Sequence, residues 1–277
     1  MTGAGTGLGR AYALDLAARG ARVVVNDAGV DVDGRGAAGE RAELVAETIR
    51  ARGGQAIANP DTIATAAGVE RLFRAVTDAF GQVDILVNNA GIVRRGRIAE
   101  MDDEDWDAVL DVHLRGTFLC TRAALRRMHA GAAGGRIINI TSGAGFASPY
   151  AGTGNYAAAK AGVIALTQVT AREEAESGIT CNAVAPLART RMSHEFLGTD
   201  NDPSLAAKAV APFISFLASD AARTITGQLF RVGRGTIDVV GPRAARAVGE
   251  MGETDWDALV LRIKEEMTVD HLDTTNM

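Results

Sequence analysis

The chain has 277 residues and carries 34 acidic against 29 basic side chains, for a net charge of −5. Apolar residues make up 47% and charged residues 23%, which is typical of a folded globular protein and excludes a disordered one. No apolar run approaches the roughly 20 residues that a membrane span needs, and an acidic chain argues against a nucleic-acid-binding protein.

Short β-branched runs alternate with longer helical stretches along the chain. Strands are predicted at 22–26, 83–87, 136–140 and 180–184, and a last strand near 228–232; a second short apolar run follows at 236–240. Helices are predicted near 8–19, 37–52, 66–80, 103–129 and 156–177. Strands separated by such helices predict βαβ units, and nearly continuous apolar strands predict a parallel sheet covered on both faces. The predicted fold class is therefore α/β, with a doubly wound, Rossmann-type parallel sheet.

The domain organisation is predicted from how continuous the sequence pattern is. Residues 1–240 contain no linker, repeat or low-complexity segment, so we expect one domain there. Residues 241–277 are expected to form a C-terminal extension, with an amphipathic stretch at 255–267.

The glycine-rich segment begins at residue 3, which leaves no room for a strand of five or six residues before it. In a doubly wound sheet the phosphate-binding turn follows the first strand, which lies in mid-sheet. We therefore expect the first strand to be missing from the N-terminus. Our hypothesis is that the start is assigned too late, at a valine GTG codon read as Met1. An in-frame stop codon directly upstream would exclude this.

The segment Thr2-Gly3-Ala4-Gly5-Thr6-Gly7-Leu8-Gly9 opens a predicted helix. Glycines allow the backbone to approach a pyrophosphate, whose charge the helix N-terminus favours, although a plain glycine-rich turn is the alternative. Asp27 follows a predicted strand, 18 residues after Gly9. A carboxylate there accepts hydrogen bonds from ribose hydroxyls and repels a 2′-phosphate. Because Thr6 stands where a basic residue would otherwise favour NADP, the sequence favours NAD.

Tyr156 and Lys160 are four residues apart on a predicted helix and therefore share a face. A nearby ammonium lowers the pKa of a phenol, which suits tyrosine to acid–base work near neutral pH. Ser142 follows the strand at 136–140, where a hydroxyl can meet a substrate oxygen at the carboxyl end of the sheet. A plain turn serine is the alternative for Ser142 considered alone.

The chain contains, in this order, the segments 2–9 and 88–91 (Asn-Asn-Ala-Gly), Ser142, and the segment 156–160 (Tyr-Ala-Ala-Ala-Lys). Together they resemble the motifs of the short-chain dehydrogenase/reductase family, in family order and over nearly the whole chain. The resemblance implies hydride transfer between nicotinamide and an alcohol or ketone. Five further segments resemble the hydroxyacyl-CoA dehydrogenase modules of type 2 peroxisomal multifunctional enzymes, also called 17β-hydroxysteroid dehydrogenase type 4. These segments are 25–27, 52–56, 103–106, 112–116 and 185–192.

The resemblance also implies roles for single residues. Tyr156 is the expected general acid/base, Ser142 the group that orients the substrate oxygen, and Lys160 the ribose anchor that assists Tyr156. His113 occupies the position of the catalytic asparagine that holds a proton-relay water in many family members. The residues expected to bind the cofactor are Gly3, Thr6, Gly7, Leu8, Asp27, Asp61, Asn88, Ala90, Gly91, Tyr156, Lys160, Pro186 and Thr190. No metal is expected, and a substrate lid is expected near 187–210.

Several substrates fit this pattern. We expect an NAD-dependent oxidoreductase acting on a secondary alcohol, with 3-hydroxyacyl-CoA as the first choice. A 3-oxoacyl-carrier-protein reductase, which usually takes NADPH, and a hydroxysteroid dehydrogenase are alternatives, and an NAD(H)-binding sensor or scaffold is the alternative outside enzymes. Five arginines are candidates for holding CoA phosphates, although simple solvated arginines are favoured: Arg94, Arg95, Arg97, Arg189 and Arg191.

Location and assembly are also predicted. The only two cysteines, Cys120 and Cys181, exclude a disulfide scaffold, and no signal peptide is recognised, so a cytoplasmic location is expected. The family resemblance implies a homodimer or homotetramer built on the helices at 103–129 and 156–177.

Overall fold

A computed structural model of the chain describes residues 1–36, 40–131, 134–147, 150–193 and 202–241. The strands are β1 Val23–Asn26, β2 Ala56–Asn59, β3 Ile85–Asn88, β4 Gly135–Ile140, β5 Ile179–Leu187, β6 Leu229–Gly233 and β7 Thr236–Val239. The helices are α1 Gly7–Ala18, α2 Arg41–Ala51, α3 Ala66–Phe80, α4 Asp103–Leu110, α5 Gly116–Gly131, α6 Gly154–Glu173 and α7 Ala207–Leu217.

The strands form two groups. β1 and β2 pair in parallel, and the other five form a sheet of order β3-β4-β5-β6-β7. All pairs in that sheet are parallel except the last, in which β6 and β7 form an antiparallel hairpin. The α/β architecture with a mostly parallel sheet that the sequence predicts is therefore observed.

The N-terminal residues lie between the two groups of strands. The Met1 carbonyl accepts a hydrogen bond from the Asn26 amide at 3.0 Å, and the Thr2 amide donates to the Val87 carbonyl at 3.1 Å. Thr2 also forms an isolated parallel bridge with Asn26. These contacts bring the glycine-rich turn to the carboxyl ends of β1 and β3.

Helices cover both faces of the strands, as the apolar runs predict. Ile137 and Ile138 of β4 are both buried but belong to different apolar clusters, because successive side chains of a strand point to opposite faces. Ile138 packs in the cluster of α1, α2 and α7, and Ile137 in that of α3 and α5. Buried apolar surface is the main stabilising term for such a fold, so both layers hold the strand ends in place.

Several elements differ from the predictions. β2 and α7 were not predicted: β2 reads Ala-Ile-Ala-Asn with one β-branched residue, and Pro212 stands inside α7. The helix predicted at 103–129 is divided by a π-helical segment, Asp111–Arg115. Helix α2 begins at Arg41, and residues 37–39 lie outside the described ranges.

The division into domains stays a prediction. Met1–Val240 forms one compact unit. Residues 242–277, with the predicted amphipathic stretch, lie outside the described residues, as do 194–201 of the predicted lid. Among the helices of the described ranges, none is long and apolar enough to cross a membrane.

Candidate active site

The glycine-rich turn is held by close backbone contacts that only glycine permits. A Cβ on Gly3 would lie 2.6 Å from the Ala90 Cα, and Gly3 has a φ of +60°. A Cβ on Gly9 would collide with the Gly3 carbonyl oxygen and lie 2.5 Å from the Asn89 Nδ2. The Asn89 amide group already donates to the Gly3 carbonyl at 3.0 Å. Residues 2–9 are therefore packed against the end of β3.

The N-terminus of α1 fits a diphosphate. Thr6 is the N-cap residue, its hydroxyl accepts no capping hydrogen bond, and the first turn holds no acidic residue. A Cβ on the exposed Gly7 would meet only the Thr190 side chain, at 3.8 Å. The first-turn N–H groups, including that of Leu8, are thus left without a side-chain cap beside open space, which suits an anionic group. Gly3, Thr6, Gly7 and Leu8 therefore lie together at or beside this helix start, and their binding of a diphosphate stays a prediction.

Asp27 lies next to this turn at the end of β1. Its Oδ2 accepts from the Gly5 amide at 2.8 Å and its Oδ1 from the Gly29 amide at 2.9 Å. Each carboxylate oxygen keeps a further lone pair for a ribose hydroxyl. The nearby Arg41 donates to the Val30 carbonyl at 2.6 Å and is ion-paired with Asp31 at 2.8 Å. That ion pair lowers the pKa of Asp31 and occupies Arg41.

Two predicted cofactor residues are engaged elsewhere. Asp61 is ion-paired with Arg71 at 2.6 Å, and its second oxygen accepts from the Asn59 Nδ2 at 2.9 Å. Asn88 is buried and donates to Thr121 and Asn139 at 3.2 and 2.8 Å. The side chain of Asn88 therefore holds β3 against β4 and α5, and its part in a cofactor site stays a prediction.

The four predicted catalytic residues lie together at the carboxyl end of β4. Ser142 follows β4, and Tyr156 and Lys160 stand on the first turns of α6. The Ser142 side chain is close enough to Tyr156 to lower the pKa of its phenol. The Lys160 Nζ donates to the Ile140 carbonyl at 2.6 Å and lies 5.7 Å from the centre of the Tyr156 ring. The rings of His113 and Tyr156 form a T-shaped contact with their centroids 5.0 Å apart.

Burial controls the ionisation of this cluster. It lowers the pKa of Lys160 to about 7, because a buried ammonium loses its hydration. It also raises the pKa of Tyr156, and the hydrogen bond with Ser142 opposes that rise. The pKa of Tyr156 is thus raised, where the sequence predicts a lowered one, because desolvation outweighs the effect of Ser142.

His113 is held by the π-helical segment and by the chain after β3. Its Nε2 lies 3.0 Å from the Ile92 amide nitrogen and 2.7 Å from the Ile92 carbonyl oxygen, so it bonds one or the other according to the tautomer. Burial, and then the charge of Lys160, lower the pKa of His113, which keeps the ring neutral. Its Nδ1 is buried without a partner. A Cβ on Gly91 would collide with the ring, so Gly91 makes room for His113.

Two positioning residues were missed from the sequence. The buried Asn155 accepts from the Tyr156 amide at 2.7 Å and donates to the carbonyls of Arg94 and Asp105 at 3.0 and 3.1 Å. The Thr141 hydroxyl donates to the Lys160 carbonyl at 2.9 Å. Both act on backbone groups, and no motif spacing marks such contacts.

The beginning of the predicted lid follows β5. Pro186 is half-buried within β5, and the Thr190 amide donates to the Ser193 Oγ at 2.8 Å. Among the five arginines, Arg94 is ion-paired with Glu104 and Asp105, and its side chain is only 9% exposed. Arg94 is therefore a structural residue, neither solvated nor open to a phosphate.

A family model described as short chain dehydrogenase matches residues 1–200. The chain belongs to the short-chain dehydrogenase family. It is accordingly an oxidoreductase that acts on CH–OH groups with a nicotinamide cofactor, as its motifs predict. A crystal structure of a short chain dehydrogenase from Mycobacterium avium superposes with a TM-score of 0.83 and 42% identity, covering 96% of this chain and 93% of that one.

Three relatives carry more specific names. The chain is 42% identical over 237 residues to the peroxisomal multifunctional enzyme type 2 of Mus musculus, covering 86% of itself and 31% of that protein. It is 38% identical over 270 residues to the hydroxyacyl-CoA dehydrogenase ChsB1 of Mycobacterium tuberculosis, covering 93% and 83%. It is 42% identical over 254 residues to a 3-oxoacyl-(acyl-carrier-protein) reductase of Synechocystis, covering 86% and 95%. The chain thus spans about a third of the mouse enzyme, and the predicted resemblance to that enzyme is confirmed.

Proposed function

We propose that this short-chain dehydrogenase oxidises a 3-hydroxyacyl-CoA to the 3-oxoacyl-CoA with NAD. The cluster of half-buried Ser142 and Tyr156 with buried Lys160 carries the reaction, and the names of the mouse and mycobacterial relatives support the substrate. Bound nicotinamide would accept the hydride from the alcohol carbon. Nothing in the cluster selects a thioester, so the choice of substrate rests on the relatives.

Each residue of the cluster has a distinct part in the proton transfer. The Tyr156 oxygen takes the hydroxyl proton of the substrate, and Ser142 donates a hydrogen bond to the same substrate oxygen. Lys160, when protonated, stabilises the Tyr156 phenolate and lowers the cost of forming it in a buried site. Asn155 fixes the start of α6 and therefore the position of Tyr156.

The preference for NAD rests on Asp27. Its carboxylate is fixed by two backbone amides beside the phosphate turn, where a 2′-phosphate would meet an unshielded negative charge. Arg41 is paired with Asp31 and does not offset that charge. NADP binding is therefore expected to be weaker than NAD binding.

The decisive experiment follows the absorbance of reduced nicotinamide with a 3-hydroxyacyl-CoA and either NAD or NADP. We expect turnover with NAD. Tyr156→Phe should lower kcat by about 10²–10⁴ with dinucleotide binding retained. Tyr12→Phe is the matched control, because the Tyr12 hydroxyl is buried without a partner away from the cluster. Equal turnover by Tyr156→Phe would exclude the proposed acid–base role.

A second candidate is reduction of a 3-oxoacyl group on an acyl carrier protein, which the Synechocystis relative favours. The two candidates differ in cofactor and in carrier. Faster turnover of a 3-oxoacyl-carrier-protein with NADPH than of 3-hydroxyacyl-CoA with NAD would select the reductase and overturn the NAD preference.

The assembly proposed is a homodimer or homotetramer that uses α5 and α6. Phe118 of α5 and Val169 of α6 are large apolar side chains that are 42% and 52% exposed. The Arg122 guanidinium lies over the Phe118 ring at 4.9 Å. We further propose a cytoplasmic location, with which the free, buried thiols of Cys120 and Cys181 agree.

A further inference from the structure

The loop that follows Asp27, residues 28–36, is fixed at both of its ends. At its start, the Gly29 amide donates to the Asp27 carboxylate at 2.9 Å. Farther along, the Val32 carbonyl accepts a hydrogen bond from the Val93 amide at 2.8 Å, in the chain segment after β3. The loop thus connects the carboxylate proposed to bind the ribose with the segment that follows β3.

Arg94 fastens this loop with its side chain. Its Nε donates to the Asp33 carbonyl at 2.9 Å, and its Nη1 lies 3.0 Å from the Asp105 Oδ1 and 3.1 Å from the Glu104 Oε1. Because the Arg94 side chain is only 9% exposed, these contacts are shielded from solvent more than those of a surface arginine. One guanidinium therefore joins the loop to the first turn of α4.

The backbone of Arg94 contacts the start of α6 through Asn155. The Asn155 Nδ2 donates to the Arg94 carbonyl at 3.0 Å and to the Asp105 carbonyl at 3.1 Å. The Asn155 Oδ1 accepts from the Tyr156 amide at 2.7 Å. Since Asn155 is buried, loss of any of these bonds would leave a polar group unpaired away from water. The residue that fastens the loop therefore also holds the residue that positions Tyr156.

Arg35 faces the same carboxylates as Arg94 but is placed differently. Its guanidinium lies 3.9 Å from the Glu104 carboxylate and 3.7 Å from that of Asp105, and its side chain is 61% exposed. Ion pairs of this length and exposure contribute little to stability. Acidic side chains are also favourable at a helix N-terminus without a basic partner. Neutralising the first turn of α4 therefore does not explain why Arg94 is buried.

We propose that Arg94 is a positioning residue that holds the loop after Asp27 and the start of α6 in one arrangement, so that Asp27 and Tyr156 act on the same dinucleotide. The proposal rests on the cofactor site and the reaction proposed above. Asp27 would bind the ribose at the adenosine end, and Tyr156 would act beside the nicotinamide. A ligand at Asp27 restricts the loop, and the bonds of Arg94 extend this restriction to the start of α6.

The test uses ADP, which contains the adenosine ribose but lacks the nicotinamide half of the dinucleotide. Hydrogen exchange should show that saturating ADP protects residues 28–36 and also residues 154–158, at the start of α6, in the wild type. Arg35→Gln is the matched control and should behave in the same way. In Arg94→Gln, ADP should protect residues 28–36 alone.

Arg94→Lys tests the same link in case the glutamine variant fails to fold. A lysine keeps a cation beside Asp105, but its single ammonium group replaces the rigid fork that also reaches the Asp33 carbonyl. We therefore expect Arg94→Lys to fold as the wild type does and to bind ADP, without the ADP-dependent protection of residues 154–158.

Kinetics with 3-hydroxyacyl-CoA and NAD give a second readout. Both Arg94 variants should raise the KM for NAD and lower kcat by about 10–10²-fold, the effect of misplacing a reacting group by about 1 Å. Arg35→Gln should change neither constant. A purely structural role for Arg94 would leave the ADP-dependent protection of residues 154–158 in place.

Three results would overturn the role of Arg94: protection of residues 154–158 by ADP that persists in Arg94→Lys, absence of that protection from the wild type, or an unchanged kcat in both Arg94 variants. Failure of the proposed function gives a different result. If ADP protects residues 154–158 through Arg94 but the wild type does not oxidise a 3-hydroxyacyl-CoA, the link is supported and the proposed substrate is wrong.

Discussion

At the scale of single residues, burial of Lys160 links the site to pH. Its pKa in the folded protein is about 7, against a usual value of 10.5. Between these values the unfolded chain binds more protons than the folded one, so the free energy of unfolding rises with pH. Below pH 7 both states are protonated, and this contribution no longer changes.

The prediction compares the wild type with Lys160→Met. From pH 7 to 8.5, the stability of the wild type relative to the variant should rise by up to about 1.4 kcal/mol per pH unit. The buried amino group of Met1, with a pKa of about 6, titrates in both proteins and cancels in the difference. Urea unfolding at several pH values measures the effect. A constant difference would show that Lys160 keeps its charge when folded.

A second prediction concerns the fit of His113 against Gly91. Gly91→Ala adds a methyl group that collides with the ring and should lower the free energy of unfolding by about 1–3 kcal/mol. In a His113→Ala background the same change should cost less, because the ring is gone. The double-mutant cycle should give a coupling of about 0.5–3 kcal/mol. Strictly additive effects would exclude this contact.

The sequence predicts the reacting residues better than their surroundings. Ser142, Tyr156 and Lys160 were found because their spacing places them on one strand end and one helix face. Asn155 and Thr141 act on backbone carbonyls and amides, which many polar residues can do, so no pattern marks them. The direction of the Tyr156 pKa was missed because desolvation depends on the packing of distant segments.

At the scale of elements, the local sequence predicts some helices and strands, whereas tertiary contacts determine the others. The apolar runs predict β1, β3, β4, β5 and β6 because burial on both faces demands apolar side chains. The π-helical break at Asp111–Arg115 interrupts a helical pattern without any proline, so only the structure reveals it. Such breaks are frequent at functional sites, and this one carries His113.

The glycine turn gives a prediction at this scale. Gly9→Ala should destabilise the protein by at least about 1 kcal/mol and abolish ADP-ribose binding, because its Cβ meets the backbone of Gly3. Gly131→Ala, at the end of α5, is the control: nothing lies within 4 Å of its Cβ, and alanine favours a helix. Denaturant unfolding and calorimetric titration measure the two effects. Equal stabilities for the two variants would contradict the close packing of the turn.

At the scale of the whole molecule, the exposed apolar side chains of α5 and α6 argue for self-association. Phe118 and Val169 lie on the two helices of the sequence-predicted interface, and the desolvation of such side chains drives stable dimers. Leu44 of α2 is 57% exposed and lies outside that interface. Leu44 therefore tests whether self-association depends on where an exposed apolar side chain lies or only on its exposure.

The prediction is that Phe118→Asp and Val169→Asp dissociate the protein, whereas Leu44→Asp leaves its mass unchanged. Burying a carboxylate against a second copy costs several kcal/mol, enough to break most dimers, while an aspartate on a solvent-facing helix costs little. Sedimentation equilibrium at micromolar protein measures the masses. A monomeric wild type would exclude the interface, and dissociation by Leu44→Asp would move it to α2. Retained binding of ADP-ribose, a fragment of the dinucleotide, in the dissociated variants would separate assembly from cofactor binding, since the glycine turn and Asp27 both come from one chain.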